Sequence, residues 1–143
     1  MNIPLEIIEE LRAVGFQKPI INPYCLYEVG VIPMHIKKIG SDTSKVFISR
    51  MALKHIIDNR GEKAAEVIKI MPHVLMFPAK IADNSVKKKG SFLFAGTFGR
   101  HYGVVLEVTK TTGLSNQVVS AFIINPKTYE KIHDISGGTA PPQ

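Results

Sequence analysis

The chain has 143 residues, 45% of them hydrophobic and 21% charged, with a formal net charge of +6. That is enough for one domain with its own core and too apolar for wholesale disorder. No apolar run approaches the ~18 residues of a membrane span, Glu6, Glu9 and Glu10 interrupt any secretory-leader pattern, and the single cysteine, Cys25, offers neither a disulfide nor a zinc cluster. A cytoplasmic protein with no cofactor and no membrane association is expected.

In chain order, Leu5, Ile8 and Leu11 recur at helical spacing between Pro4, suited to a first turn, and Gly15, suited to a stop. Residues 19–39 are rich in proline, aromatic and β-branched residues. Short extended pieces are expected over 26–31 and 34–38, with prolines confining them to edge positions. Residues 40–44 read as a turn or linker and supply the one internal boundary. A helix and extended segment over 1–44 therefore precede a main domain over 45–136, and residues 137–143 form a disordered tail.

Residues 45–48 read as a short strand, and Ser49 caps a helix running from Arg50 to Arg60 and closed by Gly61. A second helix over 62–71 buries Ala65, Val67, Ile68 and Met71, and residues 72–78 either extend it or turn it. Strands are expected over 79–82, 90–98, 102–109 and 117–124, with a hairpin loop over 111–116. A short helix over 126–133 follows. Helices followed by a run of strands predict an α+β fold with an antiparallel sheet.

Charge is unevenly placed along this order. Residues 1–44 hold four basic against five acidic groups, and the remainder holds fourteen against seven. A basic half-chain is the footprint of a polyanion-binding protein, and it also serves plain solubility. On the helix from Arg50, residues Ala52, His55 and Asn59 share one side beside the apolar stripe of Leu53, Ile56 and Ile57. His55 there is either a partly buried structural residue or a group that takes and gives a proton near neutral pH. Arg60, further along, can hold a phosphate with its planar fork of donors. His35, His73, His101 and His133 have weaker contexts, and no His, Cys or carboxylate spacing suggests a metal site.

The run Lys87, Lys88, Lys89 is either a solvated turn that protects a sheet edge or a track for a nucleic-acid backbone. Arg100 and His101 are placed in a turn beside Phe98 and Tyr102, which is either a plain turn or an arrangement suited to phosphate contact and base stacking. Alternation puts Val118, Ser120 and Phe122 on one face of the last strand. Ser120 is then either a satisfied structural hydroxyl or a donor to a phosphate oxygen. No Gly-x-Ser-x-Gly elbow supports a serine hydrolase. Tyr129 and Lys131 on the terminal helix are candidates for the same site.

The ordered pieces "KVFISR", "ALKHIIDNR", "MPHVLMFPAKI", "SFLFAGTF", "YGVVLEV" and "VVSAFIIN" resemble a bacterial and phage nuclease family of the barnase, EndoU, colicin D and RelE fold group over residues 45–133. The resemblance implies N-terminal helices packed on an antiparallel sheet of four to five strands, with the active site on the exposed sheet face. It implies metal-independent RNA cleavage through the substrate 2′-hydroxyl. His55 matches the family histidine, Arg60 the basic residue after it, and Ser120 the Thr or Ser of the closing strand. Lys80, Lys87, Lys88, Lys89, Arg100 and Tyr129 are the candidate substrate-binding residues, with Lys80, Arg100 and Tyr129 open as the second proton-transfer group. The expected activity is an endoribonuclease, a toxin of a mobile element or interbacterial system acting on tRNA or another RNA and countered by an immunity or antitoxin protein. The alternative is a non-catalytic nucleic-acid- or protein-binding module of the same fold.

Overall fold

The 3.6-residue spacing of Leu5, Ile8 and Leu11 forms helix α1 (Leu5–Val14), which buries Ile8 and Leu11 and stops at Gly15. This computed structural model describes residues 3–36, 39–87, 90–109 and 113–136. Strand β1 (Leu26–Val31) follows, then β2 (Lys45–Ser49) and helix α2 (Arg50–Arg60). Ser49 Oγ accepts a hydrogen bond from the Ala52 backbone N–H at 3.0 Å, capping α2. A 3-10 turn over Gly61–Lys63 leads into α3 (Ala64–Met76), and β3 (Lys80–Asp83), β4 (Ser91–Phe98), β5 (Arg100–Glu107) and β6 (Asn116–Ile124) complete one sheet. A single-turn helix α4 (Pro126–Glu130) comes last, capped by Asn125. Among the described residues, no helix is long and apolar enough to cross a membrane.

The fold is α+β, but among the described residues its sheet has six strands in the order β1-β2-β6-β5-β4-β3, not four to five. It is also mixed, because β2 pairs with β6 in parallel over Val46–Ile48 and 116–118. No hairpin joins β2 to β6, so chain connection does not force the antiparallel sense. β1 pairs along β2 and carries the segment before residue 45 into the same sheet. Buried Asn116 ties the 40–44 turn to this junction. Its Nδ2 donates to the Thr43 and Lys45 carbonyls at 2.7 and 3.1 Å, while its Oδ1 accepts from Thr109 N–H at 2.9 Å.

Several local expectations fail for identifiable reasons. Residues 34–36 form no strand, since Pro33 removes a ladder donor and Ile36 is buried by packing; residues 37 and 38 lie outside the described residues. Helix α3 begins at Ala64 rather than 62, and of the two courses open at Pro72 it takes the extension, to Met76, because full burial of Met71, Val74 and Leu75 outweighs the ~3 kcal/mol penalty of an internal proline. Ala64 is buried and Ala65 exposed, the reverse of the expected phase. Helix α4 ends at Glu130 rather than 133. Lys88, Lys89, Thr111, Thr112 and the 137–143 tail lie outside the described residues.

The turn between β4 and β5 is also tighter than expected. Phe98 pairs directly with Arg100 across Gly99, whose φ of +83° favours glycine. Arg100 and His101 are thus strand residues and point to opposite faces. In β6 a bulge at Val119 puts Leu106 opposite Val118 and Val105 opposite Ser120. The bulge reverses the alternation: Val118 and Ala121 enter the core, whereas Ser120 and Phe122 lie on the other face. The expectation that Val118 and Ser120 share a face is therefore corrected.

Helix α3 covers one sheet face, where Ile81, Phe94, Val104, Leu106 and Ala121 are buried. Helix α2 presents three sides. Leu53, Ile56 and Ile57 enter the core, and Ala52, His55 and Asn59 face outward. Arg50, Lys54 and Asp58 form a polar stripe toward α1 and the chain after it. Arg50 donates to Ile21 O and Tyr27 Oη at 3.0 Å each and pairs with Glu10, whose carboxylate raises the guanidinium pKa. Lys54 Nζ meets both Asp58 carboxylate oxygens at 2.6 and 2.7 Å and the Gly15 carbonyl at 2.5 Å.

The chain after α4 returns to the free edge of β3. Ile135 N–H donates to Ile81 O at 2.7 Å, and Asp134 Oδ1 accepts from Ile81 N–H at 3.0 Å and Ser136 N–H at 2.9 Å. Burial pushes the Asp134 carboxyl up, but these hydrogen bonds and the Lys80 charge outweigh it and leave the pKa below its ordinary value.

Two stability predictions follow from these anchors. Lys54→Met should lower stability by about 3 kcal/mol in urea unfolding, because it removes the counter-charge of Asp58, which is 10% exposed and keeps the Gln17 N–H bond at 3.0 Å. Lys54→Met with Asp58→Asn should recover most of that loss. Asp134, with a depressed folded pKa, stabilises the fold above about pH 3.9. That contribution should fade as pH falls through the folded pKa, and Asp134→Asn should flatten the acid limb of the stability profile.

Candidate functional site

The sheet face away from α3 is the candidate site. Strand alternation places Leu93 and Thr97 of β4, His101, Val105 and Glu107 of β5, and Ser120 and Phe122 of β6 on it. The 126–135 segment crosses one end of this face on its way from β6 to the β3 edge. The other end, near α2, stays open.

At that open end the structure joins Arg60 and Ser120. Beyond Ile48, β2 gives way to α2, so the α2 side of β6 no longer has a strand partner along Ala121. Arg60 reaches over this edge. Its Nε donates to Ala121 O at 2.8 Å, one terminal nitrogen donates to Ser120 Oγ at 3.2 Å, and its guanidinium lies 5.5 Å from the Phe122 ring centroid. Because Ser120 Oγ accepts from Arg60, its own O–H is left to donate elsewhere.

His55 lies one and a half turns earlier on α2. Its ring Nδ1 is 3.1 Å from Asn59 Nδ2, which also donates to the His55 carbonyl at 2.8 Å. The imidazole lines a cleft of about 330 Å³ with Ser49, Met51, Ala52, Glu107, Gln117, Val118 and Val119. Ser120 is the next strand residue. The cleft and the Arg60–Ser120 pair thus adjoin along β6, although neither Arg60 nor Ser120 lines the cleft and, among the described residues, no hydrogen bond joins His55 to either.

Glu107 is the residue that sequence reasoning missed. It follows Val105, which pairs with Ser120, by two residues, or about 7 Å along the strand. A carboxylate and an imidazole then line one cleft beside a cation. In the sequence Glu107 is only the last residue of an apolar run, and the long-range pairing of β5 with β6 alone brings it to His55.

The substrate-binding candidates divide. Lys80 and Tyr129 come together on the same open face: Lys80 Nζ donates to Tyr129 O at 2.9 Å and lies 4.5 Å from its ring centroid. His101, given little weight in the sequence, stacks on Tyr129 at 3.9 Å between centroids and 10° between planes, with Thr97 Oγ1 2.8 Å from its Nδ1. Arg100 is not part of this group. It points to the α3 face and pairs with Glu66 at 3.2 Å, beside the Tyr102 hydroxyl that donates to the same carboxylate at 2.6 Å. Burial and that bond to Glu66 raise the Tyr102 pKa. Lys87 is exposed in the turn after β3. Among the described residues, no three His, Cys, Asp or Glu side chains are grouped closely enough to hold a metal ion.

Searches against protein-family models, curated proteins and solved structures find no match to this chain.

Arg60→Lys keeps the charge but loses the planar fork that serves Ala121 O and Ser120 Oγ together. It is expected to lower stability by about 1 kcal/mol, the worth of one such bond. Ser120→Ala should lower it less, because Arg60 keeps its bond to the Ala121 carbonyl. Chemical denaturation of the two variants checks the order.

Proposed function

We propose that this protein is an endoribonuclease whose reaction is carried by the groove between α2 and β6. The single observation behind this reading is the Arg60 guanidinium fixed at Ser120 Oγ, next to a cleft lined by both His55 and Glu107. RNA cleavage without a metal needs these group types. The 2′-oxygen attacks phosphorus and its proton passes to a base. The bond from phosphorus to the 5′-oxygen breaks, and the leaving oxygen takes a proton from an acid. The products are a 2′,3′-cyclic phosphate and a 5′-hydroxyl.

In this reading His55 and Glu107 divide the two proton transfers, each contributing roughly 10²–10⁴-fold. Arg60 and the Ser120 O–H stabilise charge on the non-bridging oxygens, worth on the order of 3–4 kcal/mol per well-placed donor. Lys80 and Tyr129 bind substrate away from the reacting phosphate, and Arg100, held on the other face by Glu66, is no longer a proton-transfer candidate. A cellular RNA such as tRNA is the proposed substrate, with a toxin role and an immunity or antitoxin partner as its setting.

One observation favours the second reading, a non-catalytic nucleic-acid-binding module. Two of the three Arg60 nitrogens already serve the β6 edge, and the His55 ring faces Asn59 rather than a carboxylate at hydrogen-bond distance.

The test is cleavage of single-stranded RNA and total tRNA in the presence of a chelator. Wild type is expected to release cyclic-phosphate ends. His55→Ala and Glu107→Gln should each slow cleavage by about 100-fold or more, and Arg60→Ala by a similar factor. Wild type that binds RNA without cutting it selects the second reading, and undiminished cleavage by His55→Ala removes histidine catalysis.

A further inference from the structure

We infer that the open sheet face carries a second nucleotide subsite at Lys80, His101 and Tyr129, so that the ligand is a single-stranded RNA spanning at least three nucleotides. This deepens the reading of Arg60 and Ser120 as a phosphate site and depends on it.

The two clusters lie on one face at a fixed spacing. Ser120 pairs with Val105 and Ile124 pairs with His101, so four residues of strand separate them. At strand rise that is about 13 Å, roughly two nucleotide steps of an extended single strand. That spacing places His101 beside the nucleotide next to the one whose phosphate Ser120 Oγ would meet. Its role there is contact with that neighbouring nucleotide.

The ground between the clusters suits bases. Gly103 lies beneath Phe122, Ile124 and Leu93, and a Cβ there would come within 2.9 Å of the first two and 3.0 Å of the third. The three side chains close over the glycine and make an apolar floor with the half-buried Phe122 ring on it. Arg60 flanks that ring on one side. At the far side the Tyr129 ring of α4 is held against two strands by its contacts with His101 of β5 and Lys80 of β3. The Phe122 ring beside Arg60 is a surface on which a base stacks, and the Lys80 ammonium and His101 imidazole, both packed on Tyr129 at the far end, are donors for the next phosphate.

The hydrogen-bonding capacity fits as well. Lys80 uses one of its three N–H donors on the Tyr129 carbonyl. His101 uses Nδ1 toward Thr97, so Nε2 is the nitrogen left for a ligand. Duplex RNA is a poor match, because a strand lying across a flat sheet with its bases on the floor has to be unpaired.

The test measures fluorescence anisotropy of labelled 2′-deoxy-substituted oligonucleotides of two and four residues, which bind without being cut. Wild type should bind the longer one about tenfold more tightly or better. Lys80→Gln and His101→Ala should each erase most of that gain, so that the two ligands bind about equally, whereas Arg60→Ala should weaken both ligands. A length gain that survives in both subsite variants overturns the subsite, as does no gain in wild type. Failure to bind either ligand overturns the phosphate site along with it. Tight binding with the expected pattern but no cleavage of ordinary RNA leaves the subsite standing and removes only catalysis.

Discussion

The point on which the site depends is the carbonyl of Ala121. Strand β2 accompanies β6 only as far as Val118, and from there α2 takes the place of a strand. A sheet edge that loses its partner inside a fold needs donors from elsewhere. Arg60 supplies one, and in doing so it fixes the end of α2 against β6. Because the helix follows the strand edge, its outward side of Ala52, His55 and Asn59 borders the open face of the sheet. A structural bond and a candidate anion site therefore use the same side chain. The bond holds the guanidinium in place, which is the preorganisation that charge stabilisation needs.

The other sides of α2 explain why the helix can keep that position. Its apolar stripe is buried under α3 and the sheet, and its polar stripe is clamped by the chain before residue 28 through Arg50 and Lys54. Buried cations contribute little net stability by themselves. Their effect here is on orientation: they demand particular acceptors (the Ile21 and Gly15 carbonyls, Tyr27 and the Asp58 carboxylate) and so fix how α1 and its following loop lie on the helix. The N-terminal segment thereby acts as a brace for the element that carries His55 and Arg60.

Much of the local structure was legible in the sequence. The Ser49 cap, the helix from Arg50 to Arg60, the Leu26–Val31 strand and the five later strands follow from capping chemistry and hydrophobic period. The tight turn at Gly99 was not, and the sequence left open whether α3 continues or turns at Pro72, since each depends on contacts that local propensity does not contain. The bulge at Val119 is the clearest case. Reading alternation straight through β6 puts Ser120 with Val118, and one extra residue, visible only from the pairing with β5, sends it to the opposite face.

The sequence by itself determined which helix bears the imidazole and guanidinium, that the fold is α+β, and that the second half of the chain is basic. Short-range periodicity and side-chain chemistry suffice for those. Only the tertiary structure decided that Arg60 meets Ser120, that Glu107 shares a cleft with His55, that Arg100 belongs to the α3 face, and that His101 joins Lys80 and Tyr129. Each of those pairings crosses 28 to 60 residues of chain or turns on which way a strand residue points. Strand register and the parallel β2–β6 junction set them, and both are products of packing the whole sheet.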